Sequence, residues 1–275
     1  MLTRIVSGLL MAAGIIGILI YTPPTGLLAV VIFALAVAMR EWQTITHAEA
    51  GLPDRVAFQL ATALVALQPS IAAVHPAITQ NTALCAGFLI LALTRLFRPD
   101  PIDSSVKRLS ADALGLLYIG LTFPLIFALR SWGGAENGGF VVLMVMAITF
   151  GGDTGAYFAG RFLGRHKLYE KISPKKTIEG AVGGALTGVG AAFIARGFFP
   201  GLGILTPTDA VILGGLGAIA GMLGDLFESM VKRAYGVKDS GDLIPGHGGL
   251  FDRADGLIAV LFMLAVSYLL AGGLA

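Results

Sequence analysis

The sequence has little charge. Only 13% of its 275 residues are Asp, Glu, Lys or Arg, whereas soluble domains carry about 25%. The mean hydropathy is +0.82. This shortage argues against an ordinary globular domain and favours a polytopic membrane protein. The net charge of only +2 gives no indication of a nucleic-acid partner.

Cysteine is also scarce. Cys85 is the only one, and it lies within an apolar run. An intrachain disulfide and a cysteine metal cluster are therefore excluded. The sequence also lacks low-complexity tracts and periods of the solenoid kind.

Apolar runs, in contrast, are abundant. A transmembrane helix needs about 20 mostly apolar residues. By this criterion we predict an all-α, integral membrane bundle with about nine transmembrane helices, near 5–21, 25–39, 56–74, 82–97, 110–129, 139–160, 178–198, 208–230 and 256–274. Arg4 precedes the first apolar run, which we expect to be an uncleaved helix and not a signal peptide.

Basic residues indicate the topology. With the N-terminus in the cytoplasm, all of the 19 Lys and Arg except Arg130 and Arg196 lie on the cytoplasmic side. This is the bias that the positive-inside rule requires, and it supports an odd number of spans. We therefore expect cytoplasmic loops at 161–177 and 231–255. Unusual polar residues concentrate in the last spans, so we divide the chain into scaffold helices (1–138) and a catalytic region (139–275).

Two carboxylates are predicted inside the membrane. Asp153 and Asp225 each lie within an apolar span, about two turns before its basic end. A carboxylate at that depth must be paired, hydrated or bound to a cation. One helical face carries Asp225, Ser229, Lys232 and Arg233. This order suits a metal-bound phosphate group, although salt bridges and a snorkelling Lys-Arg pair would also explain it.

A glycine-rich stretch, "KDSGDLIPGHGGLFDRAD" (238–255), separates the last two spans. Gly246, Gly248 and Gly249 would let the backbone approach a ligand, and their N–H groups could hold phosphate oxygens. Asp252 and Asp255 follow three residues apart. Together with Asp225 they are candidate ligands for magnesium, which typically takes one or two carboxylates. We expect no zinc site, because His247 has no matching partner.

A second polar cluster, "SPKKT" (173–177), precedes the seventh span. Ser173, Lys175, Lys176 and Thr177 lie beside the first turn of that helix, where free N–H groups bind anions. Thr177 could cap the helix. A polybasic segment attracted to anionic lipid is the alternative interpretation. The ladder of Gly180, Gly184 and Gly188 favours close helix packing.

Residues 229–255, "SMVKRAYGVKDSGDLIPGHGGLFDRAD", resemble the signature of the phosphatidate cytidylyltransferases. Two further family elements are matched by "DTGAY" (153–157) and "SPKKT" (173–177). Ala254 departs from the usual bulkier apolar residue, which affects packing but not the polar set. The resemblance covers 150–256, and the N-terminal half is similar only as a multi-span apolar region.

The resemblance implies that CTP and phosphatidic acid give CDP-diacylglycerol and pyrophosphate at the cytoplasmic face of the inner membrane. It implies Mg²⁺ as cofactor, with K⁺ as a second cation, and a homodimer is a further expectation. The candidate catalytic residues are Lys232, Arg233, Lys238, Asp239, His247 and Arg253. The candidate substrate-binding residues are Asp153, Ser173, Lys175, Lys176, Thr177, Ser229, Gly246, Gly248 and Gly249. The candidate metal ligands are Asp225, Asp252 and Asp255.

Two other functions remain open at this point. A related CTP-dependent polyprenol or lipid kinase would transfer the γ-phosphate to an alcohol. An ion-coupled membrane transporter would also place carboxylates in glycine-broken helices. The complete signature argues against the first alternative, and the second has no need of a glycine-rich phosphate loop beside cationic helices.

Overall fold

The chain folds into a bundle of helices with one small β-hairpin. The computed structural model describes residues 2–22, 24–47, 51–98, 101–132, 134–199, 201–243 and 248–270. In the N-terminal half the helices are α1 (Leu2–Tyr21), α2 (Pro24–Thr46), α3 (Leu52–Ala66), α4 (Gln68–Ala72), α5 (Gln80–Leu96), α6 (Ile102–Gly115) and α7 (Thr122–Trp132), with a π-helical turn at Leu116–Gly120. The C-terminal half contains α8 (Gly134–Phe162), β1 (Lys167–Tyr169), β2 (Ser173–Thr177), α9 (Ile178–Phe198), a 3₁₀ turn at Leu202–Ile204, α10 (Pro207–Ala234) and α11 (Phe251–Leu270).

Each predicted apolar segment overlaps one or more of these helices, which confirms the all-α membrane class. Within the described residues, five helical stretches are long and apolar enough to cross a membrane: Gly26–Thr46, Ile102–Ile126, Asn137–Phe162, Ile178–Phe198 and Pro207–Ala234. Helices α3 and α5 have only 15 and 17 residues. The predicted number of about nine spans is therefore not confirmed.

The segment 161–177, predicted as a loop, contains the antiparallel hairpin β1–β2, in which Tyr169 pairs with Ser173. The hairpin continues directly into α9, because Thr177 accepts a hydrogen bond from Gly180 N (3.1 Å) and caps the helix. Glu179 in the first turn accepts hydrogen bonds from the amides of Arg165 (3.0 Å) and His166 (3.2 Å). These contacts fix the hairpin to the start of α9.

Glycines allow the C-terminal helices to pack closely, α8 on α9, α9 on α10, and α10 on α11. A Cβ at Gly184 would lie 3.0 Å from the carbonyl oxygen of Gly152, and one at Gly188 would lie 2.5 Å from that of Gly214. The packing role predicted for the glycine ladder is thus confirmed. At Gly224 a Cβ would lie 2.5 Å from the carbonyl oxygen of Asp255. This last approach brings the polar ends of α10 and α11 together.

The N-terminal half contacts the start of α11 through Trp42. Its side chain is fully buried, and Nε1 donates to Ala111 O (3.1 Å). Its ring packs edge-on against Phe251 at a centroid distance of 5.8 Å and lies 6.3 Å from that of Tyr118 on the π-helical turn. The two halves of the chain therefore share a hydrophobic core.

A buried ionic network joins α3, α5 and α6. Arg95 contacts Asp54 (3.2 Å) and Asp112 (3.0 Å), and Arg98 contacts Asp54 (3.2 Å). His47 lies 3.6 Å from Asp112. Burial first, and then the cations Arg95 and Arg108, lower the pKa of His47 to about 4. His47 is therefore neutral at pH 7, and the charges of this network belong to the arginines and aspartates.

Candidate active site

Three carboxylates converge where α10 meets α11. Asp225 and Glu228 lie one turn apart on α10, Asp255 lies in the first turns of α11, and one oxygen of each lies within 4.8 Å of the others. Glu228 is 1% exposed, and its Oε1 accepts no hydrogen bond from the residues that the structure describes. Carboxylates this close, one of them buried, repel one another unless a proton or a cation offsets their charge. Three carboxylate oxygens are a suitable donor set for a hard divalent cation. We call Asp225, Glu228 and Asp255 the acidic cluster.

Glu228 is a member of this cluster that sequence reasoning missed. It follows Asp225 by three residues and precedes Lys232 by four, so the three share one helical face. This spacing is the feature of the sequence that could have identified Glu228 as a site residue. Ser229 and Asp225 do share one helical face, since Ser229 Oγ donates to Asp225 Oδ1 at 3.2 Å.

Asp252, a predicted metal ligand, lies outside the acidic cluster. Its carboxylate accepts hydrogen bonds from the amides of Ser240 and Gly249 (both 2.9 Å) and from Lys232 Nζ (2.6 Å). These donors use both carboxylate oxygens. Asp252 therefore fastens the glycine-rich segment to the start of α11 in this structure.

Lys232 links Glu228 of the acidic cluster to Asp252. Its side chain is 9% exposed, and Nζ contacts Glu228 Oε2 at 3.0 Å as well as Asp252 Oδ1 at 2.6 Å. Lys232 is thus buried among carboxylates and does not form the snorkelling pair with Arg233 that was the alternative interpretation. Its neighbour Arg233 is exposed, and Nη1 donates to Val237 O at 2.9 Å.

The hairpin brings a second ammonium group to the acidic cluster. Lys176 Nζ lies 2.8 Å from Asp225 Oδ2 and donates to Met222 O at 2.9 Å. The predicted polar clusters at 173–177 and 225–255 thus meet. Lys175 is exposed, Ser173 is half-buried in β2, and the Thr177 hydroxyl caps α9.

Other charged residues of the predicted site are exposed. Asp153 on α8 is exposed and lies within electrostatic range of Asp225, Lys176 and Arg253. Arg253, Lys238 and Asp239 are also exposed. Asp153 and Arg253 therefore add charge near the acidic cluster, and Lys238 and Asp239 are exposed charges of the glycine-rich segment.

Glycine conformation matters at Gly248. Its φ of +82° is unfavourable for other residues, and a Cβ there would lie 2.7 Å from Asp252 Oδ2. The neighbouring Gly249 donates its N–H to Asp252, so the segment packs tightly on that carboxylate. Gly246 and His247, also predicted site residues, lie outside the described residues.

Comparison with known proteins gives consistent matches. A phosphatidate cytidylyltransferase of Brucella suis is 42% identical over 155 residues, which are 55% of this chain and 54% of that protein. One of Staphylococcus haemolyticus is 39% identical over 156 residues, 56% of each chain. The uncharacterized protein YnbB of Escherichia coli is 37% identical over 187 residues, 66% of this chain and 61% of that one.

These matches span about half to three-fifths of the relatives' length. A model of the cytidylyltransferase family matches nearly the whole chain, residues 2–271. The chain therefore belongs to the cytidylyltransferase family.

Proposed function

We propose that this protein transfers the cytidylyl group of CTP to phosphatidic acid, giving CDP-diacylglycerol and pyrophosphate. The observation that carries the proposal is the acidic cluster, flanked by Lys176 and Lys232 at the end of the apolar helix α10. The name of the related phosphatidate cytidylyltransferases supplies the lipid substrate. A membrane-edge site of this kind is accessible both to a lipid head group and to a water-soluble nucleotide.

The chemistry suits the residues present. A phosphatidate oxygen attacks the α-phosphorus of CTP, the new P–O bond forms, and the bond to the β-phosphate oxygen breaks as pyrophosphate leaves. Phosphatidate brings its own nucleophile, so the protein's task is to orient two anions and offset their repulsion. The exposed cations Lys175, Lys238 and Arg253 would meet phosphate oxygens, while Lys176 stabilises Asp225.

We propose that Asp225, Glu228 and Asp255 hold Mg²⁺. When bound, Mg²⁺ offsets phosphate charge and polarises the reacting phosphoryl group. Support comes from the convergence of the three carboxylates and from the buried Glu228 oxygen, which accepts no hydrogen bond from the described residues. In this proposal Asp252 positions the glycine-rich segment and is not a metal ligand. A second cation, K⁺, and a homodimer both stay predictions.

A test that separates the open alternatives compares lipid acceptors. Purified protein with CTP should release pyrophosphate when phosphatidic acid is supplied, and should not do so with a polyprenol or with diacylglycerol. Release of CDP with phosphorylation of an alcohol would identify a lipid kinase. Nucleotide-independent ion flux in vesicles, without product formation, would favour a transporter.

We also propose that the site faces the cytoplasm of the inner membrane, since the basic residues concentrate on that side of the predicted topology. In a Cys85→Ala background, Asp242→Cys at an exposed position of the glycine-rich segment should resist an impermeant thiol reagent applied to spheroplasts. Gly203→Cys, between α9 and α10, is the matched probe for the opposite face and should react. The reverse labelling pattern would contradict the proposed orientation.

The two hairpin lysines are expected to behave differently. Lys175 is exposed, so Lys175→Ala should mainly raise KM for CTP. Lys176 contacts Asp225, so Lys176→Ala should also lower kcat. The loss of one charge-assisted hydrogen bond, about 1.5–3 kcal/mol, corresponds to about 10- to 150-fold in kcat/KM.

Each substrate should be varied separately in mixed micelles, with the exposed Lys171→Ala as control. An equal rise in KM for CTP and for phosphatidic acid in the Lys175 variant would instead favour a general role at the anionic lipid surface.

A further inference from the structure

A buried carboxylate from the N-terminal half holds the glycine-rich segment. Glu41 lies near the end of α2 and is 6% exposed. Its carboxylate accepts hydrogen bonds from Leu250 N (3.0 Å), Phe251 N (2.7 Å) and Ser240 Oγ (3.0 Å). All three donors lie about 200 residues away in sequence, at the two ends of the segment 240–251.

The contact with Phe251 has a clear physical reason. Phe251 begins α11, and the first N–H groups of a helix have no partner within that helix. A carboxylate at this position satisfies them and interacts favourably with the positive end of the helix dipole. Glu41 thus caps α11 from a different helix.

Two glycines make room for this carboxylate. A Cβ at Gly241 would lie 3.0 Å from Glu41 Oε1, and one at Gly249 would lie 2.6 Å from Glu41 Oε2. Larger side chains there would force the backbone and the carboxylate apart. Part of the glycine content of the segment is therefore explained by Glu41, without reference to substrate.

The hydrogen bonds continue from Glu41 to the acidic cluster. The Ser240 hydroxyl donates to Glu41 and accepts from Asp252 N (3.3 Å), and the Ser240 amide donates to Asp252 (2.9 Å). Asp252 then accepts from Lys232 (2.6 Å), which also contacts Glu228 (3.0 Å). Each residue in this series of hydrogen bonds is held by the next, so the position of Glu228 depends on contacts that begin at α2.

We propose that Glu41 is a positioning residue of the active site, acting through Ser240, Asp252 and Lys232 on Glu228. It touches neither substrate, and its part is to order the glycine-rich segment and thereby the acidic cluster. This inference rests on the proposed function for its catalytic consequence. It also predicts a physical effect that does not depend on the reaction.

The test compares Glu41→Gln with Gln43→Met. The Glu41 variant keeps its size but turns an N–H₂ group towards donors. Gln43 is equally buried on the same helix, but it donates to Arg55 O and makes no hydrogen bond to the described part of the segment. In Glu41→Gln we expect faster hydrogen exchange at 249–251. We also expect about 10- to 100-fold loss in kcat and a comparable rise in the half-saturating Mg²⁺ concentration, as for other residues that orient ligands. Gln43→Met should stay within about threefold of wild type in each.

Unchanged exchange in Glu41→Gln, or faster exchange with unchanged turnover and Mg²⁺ dependence, would overturn the inference. A purely structural role of Glu41 would lower the yield and Tm of Glu41→Gln, while its folded fraction would keep the turnover and the Mg²⁺ dependence of wild type. If Glu41→Gln does not fold, Ser240→Ala is the substitute test. It removes the next residue in the series of hydrogen bonds from Glu41 and should raise the half-saturating Mg²⁺ concentration about tenfold. If wild type forms no product the proposed function fails, and exchange at 249–251 still decides whether Glu41 orders the segment.

Discussion

Replacing Glu228 by Gln is expected to lower kcat by about 100- to 1,000-fold, the loss typical of removing one charge-stabilising group from an active site. The substitution keeps the size of a side chain that is 1% exposed, so packing should survive. It removes a charge from the three carboxylates whose oxygens lie within 4.8 Å of one another. Asp225→Asn and Asp255→Asn should have effects of the same order, because all three oxygens would hold the same cation.

Asp242→Asn is the matched control, since Asp242 is an exposed carboxylate of the glycine-rich segment and lies outside the acidic cluster. It should retain nearly full activity. The measurement is initial-rate production of CDP-diacylglycerol over a range of Mg²⁺ concentrations, together with thermal unfolding of each variant. Near-normal turnover in Glu228→Gln would remove the acidic cluster from the mechanism.

Replacing Lys232 by Met is expected to reduce both stability and activity. The ammonium group is 9% exposed and is shared by Glu228 (3.0 Å) and Asp252 (2.6 Å). Removing one partner of a buried ion pair typically costs about 3–5 kcal/mol, because the remaining charge is left uncompensated. Here the two carboxylates would face each other across the space that the lysine leaves, and the segment 240–251 would lose its link to α10.

A double variant separates this electrostatic effect from a loss of packing. Adding Asp252→Asn to Lys232→Met removes one of the two uncompensated charges, so it should recover part of the lost thermal stability without restoring turnover. Unfolding temperatures in a single detergent and specific activities of the folded fraction are the required measurements. If the second substitution destabilises the protein as much in the Lys232 variant as in wild type, the two side chains are not coupled and the bridging role of Lys232 is wrong.

Some of this architecture can be read from the sequence because apolar length and small-residue spacing act locally. Gly184 and Gly188 follow a spacing that predicts helix packing, and each does pack against a neighbouring backbone. Thr177 precedes an apolar run and caps it. The sequence places 161–177 and 231–255 on the same face, but it does not predict that Lys176 contacts Asp225.

Other contacts have no local signal. Glu41 is an isolated carboxylate at the end of an apolar run, and nothing near it in sequence indicates contacts with Leu250 and Phe251. Asp252 and Asp255 are indistinguishable by composition and spacing, yet the first is engaged by Lys232 and two backbone amides, while the second faces Asp225 and Glu228. Only the crossing of α10 and α11 at Gly224 determines that Asp255, and not Asp252, faces the carboxylates of α10.

The fate of labelled CTP is the most direct test of the proposed reaction. Purified protein in micelles containing phosphatidic acid and Mg²⁺ would be given CTP labelled at the α-phosphate in one sample and at the γ-phosphate in another. We predict that the α label enters the lipid fraction as CDP-diacylglycerol and that the γ label appears in pyrophosphate, in equal amounts. Label reaching lipid from the γ position, or no label reaching lipid from either, would contradict cytidylyl transfer.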